Sequence, residues 1–289
     1  MKIPALNFNY RTSFRANMNE LYPPFKREMT KYIMQDSFTL SGMKDIIHKY
    51  SPKTEVESFE DMPEELEEIT QDYGAFTLTP VSISIGENGI DAGAELISET
   101  IYFDPPDSDD LESRITFLDN TLHETTHIFQ TDADDRVSLA QLQDRYMKSA
   151  DDKHKALRTF SAAYKAYQLY ENLVVNTFRD YYRKRTSLPE IAKGDNIDEI
   201  FRKQTEMTAL EFADLVLDMN EENIKSISPD FDFNFLYDFI DLMTASEIEA
   251  YTNGVTSSKE ILGIDETTDL DLLIELYKVM KEAALKRKE

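Results

Sequence analysis

The hydrophobic pattern of the chain predicts a mainly helical protein. Apolar residues recur every three or four positions in several segments, which is the spacing of a helix that buries one face. Few residues break these segments, because the 289 positions include only 8 glycines and 10 prolines. The pattern predicts helices over residues 25–34, 42–50, 63–73, 111–131, 138–147, 151–185 and 209–219, and a last helix that begins at Thr267 or Thr268.

The longest predicted helix, residues 151–185, carries a stripe of large apolar side chains. Their spacing places them on one face of the helix, and we expect that face to lie in the core. The stripe consists of Leu157, Phe160, Tyr164, Tyr167, Tyr170, Val174 and Phe178. Basic residues follow it, and we expect Arg179 and residues 183–185 to face water near the helix C-terminus.

One stretch, residues 75–103, has the alternating pattern of β-strands. Val81, Ile83 and Ile85 alternate with polar residues, which predicts a strand over residues 75–85. Asn88-Gly89 is a turn signal, and residues 96–103 are predicted to form a second strand. The sequence therefore predicts an α+β protein that is mainly helical, with a small sheet before the helix at residues 111–131.

Composition indicates one folded domain over residues 1–289. Hydrophobic residues make up 41% of the chain, which is enough for a sizeable core, and neither a linker nor an internal repeat divides it. We expect a β-containing part over about residues 1–130 and a helical part over about residues 131–289. The chain has no cysteine, which excludes disulfides, thiolate metal ligands and a cysteine nucleophile.

The strongly acidic charge of the chain limits its partners. A net charge of -25, from 56 acidic and 31 basic residues, repels phosphate backbones and anionic lipids, so we expect no nucleic-acid partner. The sequence has no apolar run of the length that a membrane span or a secretory signal requires. We therefore expect no membrane insertion, and a location in the cytoplasm or export without a cleavable signal peptide, as for an effector.

A His-Glu-x-x-His motif, formed by His123, Glu124 and His127, lies within the predicted helix at residues 111–131. Residues four apart in a helix are about 40° apart around the axis and about 6 Å apart along it. His123 and His127 are therefore placed to bind one zinc ion. Glu124 projects about 100° away from His123, where its carboxylate would act as a base beside the metal and not as a ligand.

A catalytic zinc site normally has a third protein ligand. The metzincin pattern is absent, because Gln130 and Ala133 stand where that pattern has glycine and histidine. His48 and His154 are conceivable ligands, although their surroundings are polar and without pattern. The other common third ligand is a glutamate from a later helix.

Two motifs together resemble the gluzincin-type zinc metallopeptidases. His-Glu-x-x-His is followed downstream by Glu247-x-Glu249-Ala250, and several gluzincin branches have their third ligand three residues before an alanine. Gln130 is the third residue after the second histidine. The extended motif is therefore similar to the His-Glu-x-x-His-x-x-Gln signature of a group of bacterial metallopeptidases. The resemblance implies a zincin-like fold with Glu247 as the third ligand, and a helical insertion between His127 and Glu247.

Glu247 also has alternatives. Thr244-Ala245-Ser246-Glu247 matches a capping box, in which the glutamate would bond back to the start of a helix and have a structural role only. Glu249 and Glu171 are the other candidate ligands. If Glu247 binds the metal, we expect Glu249 to hold a ligand histidine in its tautomer.

The resemblance implies peptide-bond hydrolysis at one Zn²⁺ per chain, with a protein or peptide as substrate. Glu124 is then the general base, and Tyr251 is a candidate hydrogen-bond donor to the developing oxyanion. Residues 98–103 are expected either to be an edge strand that pairs with the substrate or to be an internal strand. Two other functions remain as alternatives: a catalytically inactive zincin-like binding or scaffold protein, and a zinc hydrolase of a non-peptide bond.

Overall fold

The computed structural model of the chain describes residues 20–58, 81–86, 89–95, 100–103, 110–131, 153–182 and 192–288. Within these ranges the protein is mainly helical, as the hydrophobic pattern predicts. The elements in chain order are α1 Tyr22–Ile33, α2 Leu40–Tyr50, β1 Glu55–Ser58, β2 Val81–Gly86, β3 Gly89–Glu95, β4 Thr100–Phe103, α3 Leu111–Thr131, α4 Lys153–Tyr182, α5 Ile197–Thr205, α6 Ala209–Ile227, α7 Phe233–Leu262 and α8 Asp269–Lys286.

The four described strands form one mixed sheet in the order β1-β4-β3-β2. β4 pairs in parallel with β1 through the register Glu55↔Thr100, and antiparallel with β3 through Ala92↔Phe103. β2 pairs antiparallel with β3 and lies at the other edge. The sequence left two alternatives for this segment, an edge strand or an internal strand. Because β4 has a partner on both sides, residues 100–103 form an internal strand.

The sheet differs from its prediction at β1 and β3. The pattern did not predict β1. It gave Asn88-Gly89 as a turn signal and assigned residues 90–95 to no strand, although β3 pairs there on both sides. The sequence of β3, Gly-Ile-Asp-Ala-Gly-Ala-Glu, contains residues that strands usually avoid. Pairing with two neighbours offsets this low intrinsic propensity, because strand preference depends strongly on context.

Buried side chains form two hydrophobic clusters. The N-terminal cluster joins α1, α2, α3 and the sheet, with Phe25, Phe103 and Phe129 among its largest members. The C-terminal cluster joins α4, α5, α6, α7 and α8. The stripe on α4 belongs to it as predicted: Phe160, Tyr167, Tyr170, Val174 and Phe178 are buried, and Tyr164 is partly buried. That the whole chain is a single domain stays a prediction.

α7 is the element that brings the two halves together at α3. It begins after Asp232, whose carboxylate accepts a hydrogen bond from the Asn234 N–H, and continues without interruption to Leu262. Gly254 lets α7 approach closely, because a Cβ at that position would lie 3.2 Å from the Asp119 carbonyl oxygen of α3. This close approach places the middle of α7 opposite the His-Glu-x-x-His motif.

The alternative of a capping box at Thr244 is excluded. Thr244 lies inside α7, and its hydroxyl donates to the Ile240 carbonyl one turn earlier over 2.7 Å. A hydroxyl bonded in this way belongs to a continuing helix and not to a helix start. Glu247 is therefore in the interior of α7, and the structural alternative for its carboxylate is removed.

Several other predicted elements can be compared with the structure. The last helix begins at the predicted place, where Thr268 caps α8 in a capping box with Asp271. The predicted helices at residues 63–73 and 138–147 lie outside the described residues, and so do Ser98 and residues 183–185. α5 was not predicted. No helix within the described ranges combines the length and apolar content that crossing a membrane requires.

Candidate metal centre

α3 holds the two motif histidines on the face that packs against α7. Both side chains are buried, and their rings lie 4.8 Å apart between centroids. Their Nε2 atoms are 3.1 Å apart. The helical spacing of His123 and His127 therefore converges two imidazole nitrogens on one point, as the sequence predicts.

Glu247 on α7 reaches the same point from the opposite side. Its Oε2 lies 3.3 Å from His123 Nε2, and its Oε1 lies 3.4 Å from His127 Nε2. Ligand atoms arranged tetrahedrally around zinc at about 2.0–2.1 Å are roughly 3.3 Å from one another. The spacing of the three side chains therefore fits a zinc ion.

This group is distinct among the metal-binding side chains of the described residues. Within those ranges, His123, His127 and Glu247 form the only group of three or more His, Cys, Asp or Glu residues that could hold a metal ion together, with ligand atoms within 4.8 Å of one another. All three are buried. Two imidazoles and a carboxylate that leave a fourth position open are a donor set typical of catalytic zinc.

Gln130 fixes the tautomer of His127. The Gln130 Nε2 group donates to the Ser246 carbonyl over 3.1 Å and to the Glu249 carboxylate over 3.0 Å, so its Oε1 must be an acceptor. That oxygen lies 3.1 Å from His127 Nδ1, which therefore carries the proton. His127 Nε2 is left with a lone pair directed at the candidate site, as metal binding requires.

Burial keeps His127 neutral. Removal from water lowers the pKa of its imidazole to about 4, and attraction to Glu247 offsets this effect only in part. A neutral imidazole is the form that binds a metal ion. At His123, Nδ1 is buried and has no hydrogen-bond partner among the described residues.

The motif helix is held from both sides of the site. The hydroxyl of Thr126, one of the two variable positions of the motif, donates to the Leu122 carbonyl over 2.6 Å and lies 2.8 Å from the Tyr22 hydroxyl of α1. Tyr22 in turn donates to the Leu122 carbonyl, and Asn253 of α7 donates to the Thr126 hydroxyl over 3.2 Å. These bonds fix the rotation of α3, and with it the direction in which the histidines point.

Glu124 lies beside the three candidate ligands. Its side chain is fully buried, and its Oε1 is 4.0 Å from His123 Nε2. The carboxylate is not one of the three clustered ligands. It therefore occupies the position that the helical geometry predicts, next to the candidate metal site but outside the candidate ligand set.

Tyr251 on α7 packs against the His123 ring. Its ring lies 4.3 Å from the His123 ring between centroids and stacks on Tyr277. Its hydroxyl accepts a hydrogen bond from Arg179 Nη2 over 3.2 Å. Burial raises the pKa of Tyr251 to about 12, and the Arg179 charge reduces that effect, so the phenol keeps its proton near neutral pH.

The other candidate ligands have different roles in the structure. Glu249 holds Gln130 and does not contact a ligand histidine directly, so its predicted tautomer-fixing role belongs to Gln130 instead. Glu171 accepts hydrogen bonds from Tyr167 and Tyr277 and is not part of the clustered group. His48 lies on α2 and is also outside the group. The His154 side chain lies outside the described residues.

The prediction for Arg179 is correct in position and wrong in exposure. Arg179 lies in the last turn of α4, as predicted, but its side chain is half-buried and bonds to Tyr251 instead of facing water. α4 ends at Tyr182, so Arg179 lies at the border of the buried stripe and turns toward α7. The sequence carried a partial signal for this, because Arg179 follows the apolar Val175 by four residues and so lies on the same face of the helix.

Comparisons of the chain with protein-family models, with curated proteins and with solved structures give no match.

Removing the Glu247 carboxylate is expected to weaken zinc binding far more than removing that of Glu249. Glu247→Gln removes a ligand and should lower the zinc affinity by on the order of 100-fold or more, because two histidines alone bind zinc weakly. Glu249→Gln changes only the partner of Gln130 and should lower the zinc affinity by about 10-fold. Competition titration of the metal-free proteins with a zinc chelator measures both affinities. If the two variants bind zinc equally well, Glu247 is not a ligand.

Proposed function

We propose that the chain is a zinc-dependent metallopeptidase with a zincin-like catalytic domain. The observation that carries this proposal is the convergence of His123, His127 and Glu247 on one point, with the carboxylate of Glu124 beside it. Three neutral or anionic ligands and a neighbouring base are the parts that zinc-assisted hydrolysis needs. The resemblance of the two motifs to gluzincins supports the same class.

Zinc is the metal that the donor set favours. His127 presents a neutral imidazole with a fixed tautomer, and the ligand atoms are 3.1 to 3.4 Å apart. Two nitrogens and one carboxylate suit zinc better than calcium or magnesium, which prefer shells of oxygen ligands. A zinc ion held by these residues would polarise a scissile carbonyl and lower the pKa of a coordinated water to about 7.

The residues of the chain have separate tasks in this reaction. Glu124 accepts a proton from the attacking water as the water oxygen bonds to the carbonyl carbon. Glu124 then delivers that proton to the leaving amine as the C–N bond breaks. Tyr251 keeps its proton and can donate a hydrogen bond to the carbonyl oxygen as negative charge develops there. Gln130 keeps the His127 ring in the orientation that the site requires.

The buried position of Glu124 favours an enzyme over an inactive scaffold. A carboxylate that is fully buried loses its hydration, and this cost is tolerated only where the structure or the chemistry uses the group. A metal site with a purely structural role needs its ligands and their hydrogen-bond partners but no additional base. The position of Glu124 beside the ligand set therefore supports hydrolysis.

Peptide cleavage that depends on zinc is the expected result for the purified protein. The zinc-loaded protein should cleave members of a mixed peptide library, and removal of the metal with a chelator should abolish cleavage until zinc is restored. Mass spectrometry of the products before and after chelation measures this. A zinc-loaded protein that leaves the library intact but hydrolyses ester or amide substrates of another kind would contradict the peptidase proposal and favour a zinc hydrolase of a non-peptide bond.

A further inference from the structure

Arg179 on α4 is a half-buried cation without an ion-pair partner among the described residues. Its one hydrogen bond to a described residue goes to the neutral hydroxyl of Tyr251, over 3.2 Å. A guanidinium has five N–H donors, so this bond uses a small part of its capacity. Arg179 has no nitrogen that is both fully buried and unsatisfied, so its remaining donors are in contact with solvent.

The carboxylates near Arg179 make their closest contacts with other groups. Glu171 attracts the guanidinium at longer range, but its Oε1 accepts hydrogen bonds from Tyr167 and Tyr277. Glu247 also lies within electrostatic range, and its oxygens face the two histidines. A charge that is partly removed from water is costly unless it is paired. The arrangement therefore favours an anion that arrives from outside the protein.

Arg179 is separated from the candidate metal site by one tyrosine side chain. Tyr251 accepts from Arg179 through its hydroxyl, and its ring lies 4.3 Å from the His123 ring between centroids. An extended peptide advances about 3.3–3.6 Å per residue. A group bound at Arg179 therefore lies within a few residues of a scissile bond at the candidate site.

We infer that Arg179 binds a carboxylate of the peptide substrate, within a few residues of the scissile bond. The planar guanidinium matches a carboxylate through two parallel hydrogen bonds. The rest of the chain is strongly acidic, with a net charge of -25, so an anionic substrate group needs a dedicated cation to approach the site. The carboxylate belongs either to the C-terminus of the peptide or to an Asp or Glu side chain. This inference rests on the proposed peptidase function.

Peptide binding to a protein that cannot turn over tests the inference. The zinc-loaded Glu124→Gln protein is titrated by calorimetry with three kinds of probe: acetyl-Ala-Ala-Phe-Ala with a free C-terminus, the same peptide as its C-terminal amide, and amides that carry Glu at one position in turn. At least one carboxylate peptide should bind on the order of 100-fold more tightly than the neutral amide. Preference for the free acid identifies the C-terminus, and preference for a Glu-containing amide identifies a side chain.

Substitution of Arg179 in the same Glu124→Gln background should remove the preference. Arg179→Gln is expected to bind acidic and neutral peptides with equal affinity. Arg179→Lys should retain part of the difference in affinity, because it keeps the positive charge but loses the two parallel N–H donors of the guanidinium. Arg202→Gln on α5 is the matched control, because Arg202 is exposed and outside the site. Zinc stoichiometry and near-UV circular dichroism show whether each variant is folded.

Equal binding of the neutral and all carboxylate peptides by the unsubstituted Arg179 protein overturns the inference, and this comparison needs no folded Arg179 variant. An undiminished preference in folded Arg179→Gln overturns it as well. Because binding needs no turnover, failure of the peptidase proposal is seen separately, as absence of cleavage by the protein with Glu124 intact.

Discussion

Glu124→Gln is expected to reduce peptide hydrolysis by about 100- to 10,000-fold while zinc remains bound. The amide has nearly the shape of the carboxylate but cannot accept the proton of the attacking water. Glu124 lies outside the clustered ligands, so the substitution should leave the metal affinity close to that of the original protein. The rate of cleavage of a peptide that the zinc-loaded protein hydrolyses, measured together with zinc content, separates the two effects.

Glu222→Gln on α6 is the matched control for this substitution. Glu222 is exposed, and the same chemical change there should leave both cleavage and zinc content unchanged. A Glu124→Gln protein that cleaves the peptide as fast as the original protein would show that another group takes the proton, and the assignment of Glu124 as base would be wrong.

Loss of either motif histidine is expected to lower the zinc affinity by on the order of 1000-fold or more. His123→Ala and His127→Ala each leave one imidazole and Glu247, and two ligands cannot hold the ion tightly. Each substitution also opens a buried space between α3 and α7, so the variants should be compared in the metal-free state for folding. Elemental analysis after dialysis against a weak chelator measures the retained zinc.

His48→Ala separates this effect from a general loss of histidine. His48 lies on α2 and is not part of the clustered group, so its removal should leave one zinc per chain. A protein that lacks both His123 and His127 and still retains the zinc of the original protein would exclude the proposed site.

The local parts of the site could be predicted from the sequence because helix geometry alone determines them. The four-residue spacing of His123 and His127 fixes their common face, and the adjacent position of Glu124 fixes its different direction. Both relations hold in the structure, where the Nε2 atoms are 3.1 Å apart and Glu124 lies beside them. Glu247 required the resemblance to gluzincins, since about 120 residues separate it from His127.

The relations that the sequence did not predict depend on how α7 packs against its neighbours. Gln130 contacts His127 because α7 supplies two acceptors, the Ser246 carbonyl and Glu249, that orient its amide group. Arg179 of α4 turns inward because Tyr251 of α7 accepts its hydrogen bond. No pattern within a single segment encodes such contacts between distant segments.

The strand β3 and the residue Thr244 show that local sequence preferences alone can also predict the wrong structure. The composition of β3 argues against a strand, but pairing with β2 and β4 stabilises it. Thr244-Ala245-Ser246-Glu247 has the residues of a capping box, but the apolar residues before it extend the helix back to Phe233. In both places tertiary packing outweighs the local signal.

X-ray absorption of the zinc-loaded protein tests the central claim most directly, because it reports the atoms that surround the metal. With one zinc per chain, we expect two imidazole nitrogens at about 2.0–2.1 Å, with the multiple scattering of histidine rings, and oxygen ligands from Glu247 and solvent at about 2.0–2.2 Å. In the Glu247→Gln protein the spectrum or the zinc content should change, and in Glu249→Gln the set of ligands should stay the same. A zinc ion surrounded by oxygen atoms alone, without imidazole scattering, would contradict the proposed metal centre.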